Sequence, residues 1–418
     1  GWSDERERDR GRVALAERSA RRAEFDWLRI VAIGLMMLFH SCLGFSSWPW
    51  HVNDPHRSVL LGDFLSFLWR WRVALVFVVS GAALMLALSR HRPREILRER
   101  LRRLGIPLIF GVLVIVPPQV YYERLQRGQF HGSYLDFQPH LFDGIYPAGN
   151  LSWHHLWFIP YLLVLTAIGM PLLLWMRSAS GRRLLDAAMD GVARRHLYWL
   201  LAVPMMLCHL LLRLQHGDDH TFLGDPHGWL EFATLMVLGA MLAQWPQVLA
   251  AVQRGRYAAT AVGLICFFLL KYDWPTIGDD PTSLPLGSAT GWSAMAGLDV
   301  LAWVLAITGF VTRHLTRDTP LLRYATEASM PVYVLHQTLI VYAVYHLAHV
   351  NWPLGVKIVL TLSFCVMGSL ALYEAAIRRN RWLRLLFGVK DRAADIGLDT
   401  VLSDLGLKIT SRWRARSS

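Results

Sequence analysis

The sequence predicts an all-α fold, a polytopic membrane bundle of about ten transmembrane helices with both termini in the cytoplasm. Three observations predict it. The 418 residues are 54% hydrophobic and only 18% charged, with 18 tryptophans. Mean hydropathy is +0.31, which points to a membrane chain and not to several soluble domains. Apolar segments near the length that crosses about 30 Å of hydrocarbon recur from end to end. Finally, the 43 Lys and Arg are sorted by side. The N-terminal segment, every second loop and the C-terminal tail hold 34, the intervening loops 5 and the apolar segments 4. Such a bias marks cytoplasmic loops, and an odd number of spans would leave one Arg-rich terminus outside. The net charge of +12 therefore reads as topology, and no nucleic-acid partner is expected.

Residues 1–24 are hydrophilic and Arg-rich, a cytoplasmic segment with no cleavable signal peptide in view. The apolar segments follow at about 25–46, 64–89, 104–121, 153–176, 197–213, 229–245, 257–271, 296–312, 329–349 and 353–377. Together they make one transmembrane domain over 25–387. Prolines fall inside several of them (Pro107, Pro160, Pro171, Pro204, Pro331), as membrane helices tolerate. Residues 388–418 form a polar cytoplasmic tail, in which the apolar period of Ile396–Leu407 predicts a short surface helix. Cys42, Cys208, Cys266 and Cys365 all lie in apolar segments without metal-ligand spacing, as packing residues do.

The first apolar segment carries Arg29 and His40. Eleven residues at about 100° each bring them within roughly 20° of three whole turns, so they share a face about 16 Å apart. Arg29 then lies near one membrane surface and His40 deep inside. Ionisable groups at depth are costly and mark functional sites by default. An interhelical hydrogen bond for His40 and a snorkelling Arg29 are the competing account. Arg72 lies in the second segment on the charge-poor outer side, a candidate for an anionic acyl group or an oxyanion. Seven arginines crowd Arg90–Arg103. Of these Arg100 and Arg103 share a face and suit a polyphosphate, against the plainer reading as topological charge with anionic lipid. In the ninth segment Ser329, Tyr333 and His336 recur at i, i+4 and i+7, one helical face with His336 at the depth of His40. The outer loops are rich in aromatics, including Trp50, His51, His155 and Trp157. That suits stacking on sugars, but an interfacial belt is the preferred reading. His216, Asp218, Asp219, His220, Asp225 and His227 crowd one outer loop. A solvated acidic loop is the preferred reading there, and no metal is expected.

At these residues the chain resembles the acyltransferase-3 family of integral membrane acyltransferases, and within it the glucan-biosynthesis C group that succinylates periplasmic glucans. Its mark is a basic residue, ten residues, then histidine in the first span, and Arg29 and His40 fit it. Phe39-His40-Ser41, Trp50-His51-Val52-Asn53, Arg72 with Ser80-Gly81, Pro118-Gln119, His155-Leu156-Trp157-Phe158, Ala328-Ser329 with Tyr333 and His336, and Leu372-Tyr373-Glu374 are similar in the same order. The resemblance implies transfer from cytoplasmic acyl-CoA, with no permanently bound cofactor, to a hydroxyl of a periplasmic or envelope glucan at the bacterial inner membrane. Succinyl is favoured over acetyl. It implies His40 as general base and Arg29, Arg100 and Arg103 toward CoA phosphates. Arg72 goes to an oxyanion or carboxylate, with His336 and Glu374 as partners at the centre. Trp50, His51, His155, Trp157, Ser329 and Tyr333 face the acceptor. The alternatives are an O-acetyltransferase of another envelope glycan and a proton-coupled transporter or flippase, the latter disfavoured by the absence of an internal repeat.

Overall fold

The computed structural model describes residues 22–216, 222, 225–273, 286–390 and 397–404. Among these all regular secondary structure is helical, joined by loops that carry two isolated bridges, Ser46 with Ser58 and Ile145 with Leu151. Helix α1 is Ala23–Leu43, and its first turn carries Glu24 and Asp26, where acids complement the helix dipole. Helices α2 (Val59–Trp69) and α3 (Ala74–Ala87) form one broken rod. Ser58 caps α2 by accepting from the Leu61 amide at 3.2 Å. Arg72 sits in the break itself.

Helix α4 is the 34-residue rod Pro93–Gln126, with π turns at Leu101–Gly105 and Gly111–Ile115. Pro107 and Pro117 explain them. Each lacks the N–H that the carbonyl four residues earlier would accept, and that carbonyl (Arg103, Leu113) lies in a π turn. A 3-10 turn, His154–Trp157, leads into α5 (Phe158–Arg177). Then come α6 (Ala179–Arg194), α7 (Ala202–His216), α8 (Pro226–Gln244) and α9 (Pro246–Phe268). The chain closes with α10 (Leu286–His314), α11 (Pro320–Leu347), α12 (Leu354–Leu372), α13 (Arg381–Leu386) and α14 (Leu398–Asp404). A π turn, Tyr373–Ile377, prolongs α12, and α14 is the surface helix expected of the tail.

Helices α3 and α8 make the tightest crossing described. A Cβ on Gly81 would collide with the Met236 carbonyl, and one on Gly239 with the Val78 carbonyl. The two glycines thus let backbone meet backbone, as small residues do in membrane bundles. Phe77 and Phe232 stack beside them at 4.0 Å. The loop from α1 to α2 is closed at its neck, where Ser47 N donates to Ser58 O and Ser58 N to Phe45 O. Its tip plugs into the bundle through Asp54, whose carboxylate pairs with Lys357 of α12. Both side chains are buried, at 0% and 2% exposure.

Among the described residues six helices are long and apolar enough to cross a membrane. The α8–α9 pair, bent by 109°, supplies a seventh if counted as one span. The ten apolar segments of the sequence are all helical, yet fewer pass as spans, for physical reasons. Trp245 is extended and breaks 229–245 from 257–271. The apolar helix at Leu197–Leu210 is short. In α11 the stripe around Tyr333, His336 and Gln337 dilutes an otherwise apolar rod.

Candidate active site

Helices α1, α4, α5 and α11 bring three imidazoles together. The Nε2 of His336 lies 3.1 Å from Nδ1 of His40, and the His155 and His336 rings stand edge to face at 5.0 Å. The hydrogen-bond partners fix the tautomers. A carbonyl only accepts, so His336 Nδ1, 2.5 Å from Tyr333 O, carries that ring's proton. Its Nε2 is then the lone pair. His40 Nδ1 is 2.9 Å from Met36 O and faces that lone pair, so it too is protonated and shared between the two acceptors. What remains on His40 is Nε2, a basic nitrogen held in place by a partner on the far side of its ring. That is how a general base is prepared.

His155 completes the floor. Its Nε2 donates to Val334 O at 3.0 Å, and Gln119 of α4 reaches its Nδ1 at 3.4 Å. The Gln119 amide also donates to Thr338 Oγ1 at 2.7 Å and accepts from Gln337 at 2.9 Å. The Thr338 hydroxyl donates to Ile115 O at 2.6 Å. Tyr333 donates to the His155 carbonyl at 2.5 Å. Gln119, Gln337, Thr338, His155 and Tyr333 are thus linked to one another or to backbone carbonyls, which makes such a network rigid.

Trp50 lies over His40 with ring centroids 6.4 Å apart. Next to it His51 donates through Nδ1 to Glu123 Oε2 at 2.5 Å. Glu123 also takes Arg127 at 2.8 Å and the Tyr146 hydroxyl at 3.2 Å. Burial and the Glu123 charge hold the Tyr146 phenol above its ordinary pKa. Arg72 is 5% exposed. Its guanidinium carbon sits 3.5 Å from the centroid of Phe39, the neighbour of His40, and 4.9 Å from the Trp69 ring. It donates to Trp69 O at 2.8 Å. Among the described residues Arg72 makes no ion pair, and its Nε has no hydrogen-bond partner.

Arg29, Arg100 and Arg103 gather at the other end of α1, close enough for the Arg29 charge to act on both of the others. Arg100 donates to Ser80 at 3.0 Å. Arg103 donates to Gly388 O at 3.0 Å and meets Glu99 at 3.4 Å. Three guanidinium groups so placed make a local concentration of positive charge, the chemistry that suits a phosphorylated anion.

Other expected residues stand apart from His40. Glu374 pairs with Arg378 at 3.3 Å. The adjacent Tyr373 donates to Glu327 at 2.6 Å, nine residues and about 13 Å along α11 from His336. The Ser329 hydroxyl turns back onto Thr326 O at 2.8 Å. Trp157 packs edge-on against Tyr161 and leans on Phe232 at the α5–α8 contact. Of the loop cluster, Asp218, Asp219 and His220 lie outside the described residues, as does the side chain of His216. Asp225 is buried, accepting from Tyr161 at 3.0 Å and capping α8 through Gly228 N at 2.8 Å. Sequence reasoning does not reach Gln337, Thr338 or Glu123. The only trace of the first two is a polar pair directly after His336 in an apolar run.

Against known proteins, the model of an acyltransferase domain matches residues 22–374. The protein named glucans biosynthesis protein C in Salmonella heidelberg (strain SL476) is 24% identical over 373 residues, covering 84% of this chain and 90% of the relative. Its namesake in Salmonella typhi matches to the same extent. That of Salmonella schwarzengrund (strain CVM19633) is 23% identical over the same shares.

Proposed function

The chain belongs to the acyltransferase-3 family, whose domain spans residues 22–374, and from this premise we propose that it moves a succinyl group from cytoplasmic acyl-CoA to a hydroxyl of a periplasmic glucan. The enzyme class follows from the family. Donor, acceptor and acyl group are our reading, as are the inner-membrane location and the cytoplasmic placement of both termini, which rest on the charge bias of the loops. The glucan acceptor rests on the likeness to proteins named for glucan biosynthesis.

One observation carries the chemistry: the tautomer chain His336–His40 that leaves His40 Nε2 as a positioned base. The acceptor hydroxyl gives its proton to Nε2 as its oxygen attacks the thioester carbon. The imidazolium formed keeps its Nδ1–H shared between Met36 O and His336 Nε2, so the new charge is distributed at once. The C–O bond forms, the C–S bond breaks, and the Nε2 proton returns to the departing CoA sulfur. Arg29, Arg100 and Arg103 hold the CoA phosphates. Arg72, buried without an ionic partner among the described residues, takes the free carboxylate of succinate, which is expensive to bury alone.

The test is the purified protein in liposomes given acyl-CoA and glucan, with thiol release and glucan mass followed together. Transfer by the unaltered chain and a loss of about 10²–10⁴-fold in His40→Ala are expected, with acyl-CoA binding retained. Normal turnover in His40→Ala refutes the assignment. The mass gained by the glucan identifies the acyl group, and no gain from any acyl-CoA refutes the glucan acceptor.

A further inference from the structure

Away from the His40 group, we propose a divalent metal site of the zinc type, formed by His209 of α7 with His227 and Glu231 of α8. His227 and Glu231 are four residues apart and so share a face of α8, and that face lies against α7. His209 Nε2 is 3.2 Å from His227 Nε2 and 3.2 Å from Glu231 Oε2. The last two atoms are 3.4 Å apart. The three atoms form a nearly equilateral triangle. A tetrahedral zinc ion with arms of about 2.0–2.1 Å sets its ligand atoms about 3.3–3.4 Å apart. The triangle has the edge lengths of one face of that tetrahedron, and since His227 Nε2 stands over the His209 ring, 2.9 Å from its Nδ1, binding an ion requires the His209 ring to turn so that its Nε2 lone pair meets the metal.

Hydrogen bonding is the competing account: His227 Nε2 also lies 2.9 Å from His209 Nδ1, so a proton on His227 Nε2 and one on His209 Nε2 make a neutral relay from His227 through His209 to the Glu231 carboxylate, which only accepts. A cation beyond the triangle satisfies all three atoms at once. The surroundings favour it further. His209 and Glu231 are 3% and 5% exposed, and the Trp292 ring stands edge-on to His209 at 6.2 Å, so charge here is costly unless matched. The His227 side chain keeps 12% exposure, which provides an entry and leaves the fourth position to water. Two imidazoles and one carboxylate are a zinc ligand set. In this place the ion fastens α7 to α8.

The site shares no residue with the acyl-transfer machinery, so its test is independent of that reading. Metal-stripped protein bearing a histidine-free tag is titrated in detergent with Zn²⁺ against a chromogenic chelator, and separately with Co²⁺. One Zn²⁺ per chain is expected, together with the intense visible absorption of tetrahedral Co²⁺ and a rise in Tm with Zn²⁺ that Mg²⁺ does not reproduce. In His209→Asn and in Glu231→Gln the affinity should fall by at least about 100-fold. A folded wild-type chain without stoichiometric Zn²⁺ overturns the proposal, as does unchanged affinity in the folded variants. Should a variant fail to fold, the wild-type cobalt spectrum decides: a six-coordinate spectrum, or none, refutes the site.

Discussion

Replacing His336 with alanine removes the acceptor that His40 Nδ1 faces at 3.1 Å and leaves the other, Met36 O at 2.9 Å. The tautomer of His40 therefore survives, and so does its basic Nε2. What disappears is one hydrogen bond to the imidazolium that forms during transfer. Hydrogen bonds to charged groups contribute about 1.5–3 kcal/mol. At about 1.36 kcal/mol per decade kcat should fall about 10- to 150-fold, less than in His40→Ala. The KM for acyl-CoA should hardly move, because the proposal sets the donor's phosphates at the far end of α1. His336→Gln should recover part of the loss, since a carboxamide oxygen can accept from His40. The assay is initial rate against acyl-CoA concentration, normalised to folded protein by size exclusion. A His336→Ala enzyme as inactive as His40→Ala would make His336 the base. One with wild-type kcat would show that the imidazole pair plays no part in the transition state.

Arg100→Gln with Arg103→Gln should raise the acyl-CoA KM about tenfold or more, on the order of one charge-assisted hydrogen bond, with kcat retained; lysine should rescue only partly because the bidentate fork is lost, and an unchanged KM would return the cluster to topology. Arg72→Met should depress succinyl transfer far more than acetyl transfer in parallel assays, and an equal fall in both would reassign Arg72 to the common oxyanion or to the fold. Gly239→Ala should cost about 1–3 kcal/mol by overpacking the α3–α8 crossing, read as a lower Tm in detergent, and an unshifted Tm would show that this crossing relaxes freely.

Much of the site's axis was legible in one short stretch. A helix has a fixed rise and twist, so the spacing of Arg29 and His40 put a cation and an imidazole on one face at opposite depths, and the structure gathers arginines at one end and histidines at the other. The stripe from Tyr333 to His336 was readable for the same reason. Contacts between distant segments were not. Glu123 meets His51 across 72 residues, and Gln119 meets Gln337 across 218. No local period encodes such pairings. Lys357 shows the limit from the other side: a lysine in an apolar run stands out at once, but its partner Asp54 is 303 residues away. The ten apolar segments and the six or seven candidate spans among the described residues part where hydropathy and shape diverge, as in the sharp α8–α9 bend and in α11, whose polar groups are satisfied by neighbours that hydropathy does not register.

The closed loop between α1 and α2 gives the acceptor end of the site a particular mechanical character. Trp50 and His51 ride on a segment whose neck is pinned by Ser47, Ser58 and Phe45 backbone bonds and whose tip is nailed to α12 by Asp54 and Lys357. A flap anchored at one point swings; a strip anchored at both neck and tip does not. The aromatic rim is therefore a fixed gauge, and on the proposed reading a glycan acceptor would be selected by whether its contour passes the gauge. Such an entrance would order little on binding and would take and release a long flexible polymer without a conformational cycle for each unit. On the same reading it would couple α12 to the choice of acceptor, because loosening the nail from the α12 side slackens the gauge without touching Trp50 or His51.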